Sequence, residues 1–227
     1  MSPNTLDMEF HIETPRLTIS CFDTASDAHA DFLLELYNAP ATVAATRRAP
    51  IRMPDREAAR LNMEENNERI ASHGYGRYLV CLKPTASLEP SALPFSQRVK
   101  SYTMVGIVSC KVRKFAGAPP VPDVGYGLLQ AFHGKGYATE ATRALMTHLE
   151  EARGQKEFFG YCDPNNEASK AVLTRLGFEK MGVRGVVGLE KDVLWALVWG
   201  RNLTKTLDEY GFLEQREGEG EGDQEAR

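Results

Sequence analysis

The run Leu128-Leu129-Gln130-Ala131-Phe132-His133-Gly134-Lys135-Gly136-Tyr137-Ala138-Thr139-Glu140 constrains this 227-residue chain more than any other. An apolar stretch ends, two glycines follow close together, and the clearest helical pattern in the chain begins at once. From Tyr137 to Arg153, Ala138, Ala141, Leu145, Leu149 and Ala152 recur at intervals of three and four, and Gly154 follows as a stop. At the start of such a helix several backbone N–H groups have no intrahelical partner. With the helix dipole they form an anion site, and glycines let a phosphate approach the backbone closely. A tight strand-to-helix turn that needs glycine for its geometry alone is the competing reading. Two common phosphate loops are excluded. No Gly-x4-Gly-Lys-Ser/Thr spacing exists, and a dinucleotide fingerprint would need a third glycine where Thr139 stands.

The surrounding pattern is that of a mixed α/β domain. Arg16–Phe22 alternates like a strand, with Leu17, Ile19 and Cys21 on one face. Thr24–Asn38 reads as a helix capped by Thr24, with Phe32, Leu33, Leu36 and Tyr37 as its apolar stripe and Pro40 ending it. Asp55–Ser72 reads as a second, very polar helix with a weak stripe of Ala58, Leu61, Met63 and Ile70, its Glu/Asn/Arg face solvated. Gly74 and Gly76 break the chain before a strand at Tyr78–Leu82. Further strands are expected at Met104–Val112, Val124–Leu129, Phe158–Cys162, Val186–Leu189 and Val193–Trp199. A helix is expected at Asn166–Leu176, with Gly177 as its cap. Pro84–Ser101, with its prolines and serines, reads as a surface insertion. Residues 1–212 are therefore expected to be one domain, and 213–227, rich in Glu and Gly, a disordered tail.

Charge and cysteine usage narrow the class. Residues 214–227 hold six acids and two bases; removing them from 31 acids and 27 bases leaves 25 of each. A neutral body lacks the electrostatic footprint of a nucleic-acid binder. The four cysteines, Cys21, Cys81, Cys110 and Cys162, stand singly in apolar stretches and read as buried free thiols. No signal-peptide pattern is visible, and the longest apolar run, Val193–Trp199, is far too short for a bilayer. A reducing, cytoplasmic compartment is the expectation. His11, His29, His73 and His148 show no paired ligand spacing, so no metal site is expected.

The stretch Asp123–Gly182 resembles the core of the GNAT N-acetyltransferases, in particular the branch named for ribosomal-protein N-terminal acetyltransferases. That family's loop is Gln/Arg-x-x-Gly-x-Gly/Ala, and His133-Gly134-Lys135-Gly136-Tyr137-Ala138 matches it except at the first position. Gly-Tyr-Ala-Thr-Glu-Ala at 136–141 is typical of the branch. So are Asp163-Pro164-Asn165-Asn166-Glu167-Ala168-Ser169 and Leu176-Gly177-Phe178. The resemblance implies a mostly antiparallel sheet with splayed central strands and helices on both faces. It also implies transfer of an acetyl group from acetyl-CoA to an amine, by direct attack in a ternary complex and without a metal. The backbone of Lys135, Gly136, Tyr137, Ala138 and Thr139 would hold the pyrophosphate. Leu128, Leu129 and Gln130 would pair with pantetheine like an added strand edge, the arm entering between Val124–Leu129 and Phe158–Cys162. Gly125 and Gly127 would suit a bulge there. Asn166 and Ser169 match positions near the pantetheine arm and its sulfur.

For catalysis the resemblance implies that a neutral amine attacks the thioester, a backbone N–H stabilises the oxyanion, and thiolate leaves. Asp123 matches a position where relatives carry an acidic base; an aspartate merely closing the loop after Pro122 is the plainer reading. Tyr126 and Tyr161 either face the gap or pack on their strands. Some relatives place a general-acid tyrosine where this chain has Leu173, which leaves thiolate departure to water or to Ser169. His133 either positions phosphate or faces solvent. Asn166 caps its helix under either reading. Trp195 and Trp199, four apart, share a strand face and read as core. Acceptor choice falls to the first two helices, the Gly74–Gly76 turn and the Met181–Asp192 connection, where no motif distinguishes a small amine from a protein N-terminus. A CoA-binding scaffold without transfer activity is the alternative, and a monomer or homodimer is expected. Partners are confined to acetyl-CoA and the acceptor, with no nucleic acid or membrane.

Overall fold

The computed structural model describes residues 6–40, 42, 53–84, 93–114, 116–187 and 193–214. Along the chain run β1 (His11–Glu13), β2 (Leu17–Ser20), α1 (Asp27–Asn38), α2 (Arg56–His73), β3 (Gly76–Leu82), α3 (Phe95–Arg98) and β4 (Thr103–Lys111). β5 (Asp123–Leu128), α4 (Tyr137–Arg153), β6 (Phe158–Cys162), α5 (Glu167–Arg175), β7 (Glu179–Val186) and β8 (Leu194–Arg201) follow. The fold is mixed α/β with mostly antiparallel strands, as the sequence implied. Residues group into two compact units, Met1–Lys111 with Val124–Gln155, and Val112–Asp123 with Lys156–Arg227.

In the first unit β1 to β4 form an antiparallel ladder, with Ile12 opposite Ile19, Ile19 opposite Val80 and Tyr78 opposite Val108. The next strand joins beside β4, where the Leu129 N–H donates to the Val105 carbonyl at 3.0 Å. β3 is buried on both faces, so its alternation separates two sets of contacts. Leu79 and Cys81 pack with Phe22, Phe32, Leu33, Leu36 and Met63 under α1 and α2. Tyr78 points the other way, toward Phe10, whose ring tilts against His148 of α4 at 5.1 Å. β2 is likewise buried on both faces: Thr18 and Ser20 are as enclosed as Leu17 and Ile19.

The helices show where pattern reading slips. Ser26, not Thr24, caps α1 by accepting from the His29 N–H. Asp23 holds the preceding residues in a turn through Ala25 N–H and Ser26 N–H, which delays helix entry. Ala39 is extended before Pro40, as a pre-proline residue prefers. On α2 the inward residues are Ala59, Met63, Asn66 and Ile70, while Leu61 is 55% exposed. Asn66, read as solvated, turns inward because β3 offers it backbone partners. Residues 85–92 of the expected insertion lie outside the described residues, but its later part is anchored: Phe95 is buried and stacks on His11 at 3.8 Å.

In the second unit β8 pairs with both β6 and β7, Trp199 lying opposite Gly160 and Leu197 opposite Val183. Phe159 is its centre, meeting Phe212 at 4.9 Å and Tyr210 at 5.2 Å edge-on. β7 occupies Glu179–Val186, earlier than the expected Val186–Leu189, of which 188 and 189 lie outside the described residues. Polar residues and two glycines on this half-exposed strand hid its alternation. Helix α5 ends as expected: Gly177 takes φ +79, its N–H donates to the Thr174 carbonyl, and the Phe178 N–H donates to that of Leu173. Trp199 is buried, whereas Trp195, at the strand start beyond the buried stretch 196–200, is 42% exposed. All four cysteines are buried and free. The expected tail lies outside the described residues from 215 onward.

Backbone approaches closely at Gly106, where a Cβ would stand 2.4 Å from the Gly127 carbonyl oxygen and 3.1 Å from the Leu128 Cα. Backbone cannot swing aside as a side chain can. Gly106→Ala should therefore destabilise by about 1–3 kcal/mol or more, read as a fall in denaturant midpoint. Gly154→Ala, whose Cβ meets nothing within 4 Å but sits at φ +66, should cost less, about 1 kcal/mol.

Candidate active site

The loop into α4 is built from backbone. After β5, Gln130–Phe132 make one 3-10 turn closed by His133 N–H to the Gln130 carbonyl at 3.1 Å. Gly134 and Gly136 both take left-handed φ, +72 and +80, which a side chain would strain. Gly136 is the N-cap of α4 and provides no side chain to cap it. The first helical bond is Glu140 N–H to the Gly136 carbonyl, so the N–H groups of Tyr137, Ala138 and Thr139 precede it. The Thr139 hydroxyl is enclosed and has no hydrogen-bond partner. Lys135 is exposed, its Nζ 5.4 Å from the Phe132 ring centroid. Positive backbone ends, no cap and no Cβ at two turns fit a phosphate better than a bare turn requires.

An ion pair that sequence spacing could not reveal braces this loop. Glu140, in the first turn of α4, accepts from the Thr14 hydroxyl at 2.6 Å, the Arg16 N–H at 3.1 Å and Arg16 Nε at 2.7 Å. Arg16 Nη1 also donates to the Lys135 carbonyl at 3.0 Å, and its guanidinium lies over the Tyr137 ring at 4.6 Å. Burial pushes the Glu140 carboxyl up, but the Thr14 and Arg16 hydrogen bonds outweigh it and hold the group below its ordinary value.

The expected pantetheine edge is only partly open. The Leu129 N–H is committed to β4. The Leu128 carbonyl is engaged by His133 Nε2 at 2.9 Å. His133 is thus exposed, as one reading held, yet its ring returns to the strand. Gln130 is exposed in the 3-10 turn, and Tyr126 is half-buried on β5. At Gly125 a Cβ would come within 2.8 Å of Ser109 Oγ, so this glycine serves a close strand approach.

In the second unit Asp123 is 5% exposed and bound fork-to-fork by Arg113, Nε to Oδ1 at 2.6 Å and Nη2 to Oδ2 at 2.8 Å. Tyr161 is held well above its ordinary pKa, chiefly by burial and then by the Asp123 charge, with Arg113 opposing. Asn166 caps α5 by accepting from the Ser169 N–H at 3.0 Å, so the two residues matched to the pantetheine arm are neighbours. Leu173 is buried against Gly160, whose Cβ would stand 2.5 Å from its Cδ2. Among the described residues no group of three or more His, Cys, Asp or Glu could hold a metal. No helix among them is long and apolar enough to cross a membrane.

The sequence matches the acetyltransferase (GNAT) domain over residues 16–179. The chain belongs to the GNAT acetyltransferase family. Its fold is similar to RimL, a ribosomal-protein alpha-N acetyltransferase solved with coenzyme A, at 22% identity and TM-score 0.61 over 85% of this chain and 97% of that one. It is also similar to the microcin self-immunity acetyltransferase MccE, solved with acetyl-CoA and AMP, at 18% identity and TM-score 0.62 over 83% and 93%. A ribosomal-protein alanine acetyltransferase from Vibrio fischeri aligns at 16% identity and TM-score 0.60 over 88% and 98%. No curated protein matches the chain by sequence.

Within this GNAT domain the loop residues read from the sequence, 135–139, lie together as one anion-ready turn, and Arg16 and Thr14 are the supports that reading missed. They are more than a hundred residues away in sequence, so neither periodicity nor motif points to them. Glu140→Gln should destabilise the protein by about 1–3 kcal/mol and raise the apparent KM for the loop's ligand. A carboxyl held low in the folded state contributes stability above its unfolded value of 4.5 and loses it as pH falls through the lower folded value. The Tm gap between wild type and Glu140→Gln should therefore be steady from about pH 7 to pH 5 and close at lower pH.

Proposed function

We propose that this GNAT domain transfers an acetyl group from acetyl-CoA to an amine by direct attack in a ternary complex. The observation that carries this reading is the uncapped α4 N-terminus behind two left-handed glycines. The CoA and acetyl-CoA complexes of RimL and MccE support the same donor here. Lys135–Thr139 would hold the pyrophosphate through backbone N–H groups. Leu128 and Gln130 would pair with the pantetheine arm, Leu129 contributing its side chain, and Asn166 and Ser169 would border the arm near its sulfur. The attacking amine must lose a proton and the thiolate must leave. Asp123 is our candidate for the first task, with the lone pairs that Arg113 does not take. Tyr126 and Ser169 are candidates for steadying the reacting groups. The family likeness runs through both units, which supports residues 1–212 as one domain. A neutral body and four buried free thiols support a cytoplasmic enzyme, monomeric or homodimeric, that engages neither nucleic acid nor membrane.

Two measurements test this reading. Gly136→Val places a branched side chain at φ +80 where the nearest atom, Arg16 Nη2, is 3.4 Å from a Cβ. The fold should survive, while the stabilisation that saturating acetyl-CoA gives the wild type in thermal unfolding should be largely lost. Retained stabilisation in a folded variant would remove the backbone cradle. Asp123→Asn keeps the shape but cannot take the proton. Its kcat, followed by thiol release, should fall at least about ten-fold with the KM for acetyl-CoA nearly unchanged. Wild-type turnover across the pH range would exclude Asp123 as the base and leave positioning and oxyanion stabilisation to drive transfer.

A further inference from the structure

Arg77 on β3 is 5% exposed, and its guanidinium is held between α1 and α2. It donates to the Tyr37 hydroxyl of α1 and to Asn62 Oδ1 of α2, both neutral, and lies over the rings of Tyr37 and Phe22 at 5.4 and 5.6 Å. Its Nε is enclosed and has no hydrogen-bond partner. Among the described residues no carboxylate forms an ion pair with it. Residues 39–54, which join α1 to α2 in sequence, contain no Asp or Glu to supply one.

A guanidinium cannot shed its proton to escape burial. An enclosed charge without a counter-charge is costly, and aromatic faces recover only part of that cost. The position is nonetheless fixed with care. Asn66, itself buried, donates from Nδ2 to the Arg77 carbonyl at 2.7 Å and accepts the Arg77 N–H at 2.8 Å. A preorganised fork lacking its anion has the form of a binding group. Its place in the sheet suits the acceptor. Arg77 lies opposite Ser109 of β4, and Ser109 is the close neighbour of Gly125 on β5. Arg77 is thus two strands, about 10 Å, from β5, at a level about 10 Å back along that strand from Leu128.

We propose that Arg77, with Tyr37 and Asn62, binds a carboxylate of the acceptor, so that the substrate class is an amine bearing a nearby carboxylate. This rests on the acetyl-transfer reading above. The carboxylate comes either from a small amino acid-like amine or from an acidic residue just inside a peptide N-terminus. Arg77 is a specificity residue here: it holds the acceptor and takes no part in bond making.

The test uses acceptor pairs that differ only in that charge, 4-aminobutanoate against 4-aminobutanamide, and Ser-Asp-Ala-Ala amide against Ser-Asn-Ala-Ala amide. With acetyl-CoA and thiol release as readout, the carboxylate member of at least one pair should show a kcat/KM ten-fold or more above its amide. The pair that responds identifies the source. In Arg77→Gln the preference should fall toward one while the KM for acetyl-CoA stays unchanged. Should that variant fail to fold, Tyr37→Phe, which removes the hydroxyl that steadies the fork, should lower the preference several-fold. Absence of preference in both wild-type pairs, or a preference undiminished in a folded Arg77→Gln or Tyr37→Phe, overturns the proposal. If no acceptor turns over at all, the acetyl-transfer reading fails separately. Thermal unfolding with CoA present then decides the Arg77 site: stabilisation by either carboxylate and not by its amide supports it, and equal or absent stabilisation overturns it.

Discussion

The contact on which the loop into α4 depends is the bond between Arg16 and Glu140. Gly134 has no neighbour that a Cβ would touch, and Gly136 has only the Arg16 guanidinium. Little else constrains the two turns whose left-handed geometry presents the helix N-terminus. Arg16 supplies the constraint from both sides, through Glu140 within the helix and the Lys135 carbonyl before it, while stacking on Tyr137. An acid in the first helical turn also suits the dipole. The arrangement lets β2's entry segment determine the shape of a loop that the sequence places far downstream.

The same economy governs the strand that feeds the loop. β4 and the strand after it come so close at Gly106 that a Cβ there would meet the Gly127 carbonyl, and a Cβ at Gly125 would meet the Ser109 hydroxyl. This close approach positions Leu128 and Leu129, and the Leu129 N–H is consumed in the pairing. The alternate residues, 128 and 130, are those whose backbone an added edge strand would pair with. His133 already touches the first of them. The His133 imidazole reaches back to its own strand rather than outward.

Much of this was legible in the sequence because the elements concerned are local. Helix α4 and strand β6 fall where periodicity placed them, and α5 carries the glycine cap that Leu176-Gly177-Phe178 announced. Asn166 as a cap followed from residue type and position alone. Two features stayed hidden because each required a partner remote in sequence. Nothing in the sequence around Glu140 points to Thr14 and Arg16, which stand beside it. Nothing near Asp123 in the sequence marks Arg113 as the residue that binds both of its oxygens. β7 was hidden because a half-exposed edge strand with glycines at 182 and 185 has no clean alternation to find.

The second helix is the most instructive failure, because there the polarity itself misled. Its apolar residues gave a stripe through Leu61, yet the buried line runs through Ala59, Met63, Asn66 and Ile70. An asparagine on the inward face breaks the rule that polar residues mark the solvated side, and the cost is met only because β3 presents backbone at that point. Asn62, one turn earlier, follows it inward to reach the Arg77 side chain. A turn made of backbone and glycine declares itself in a short motif. A cluster of side chains from α1, α2 and β3 leaves only a helix that looks too polar to pack. Places where local patterning and tertiary packing disagree are where function is paid for. In this chain that disagreement falls on the helices that flank Arg77, not on the loop into α4.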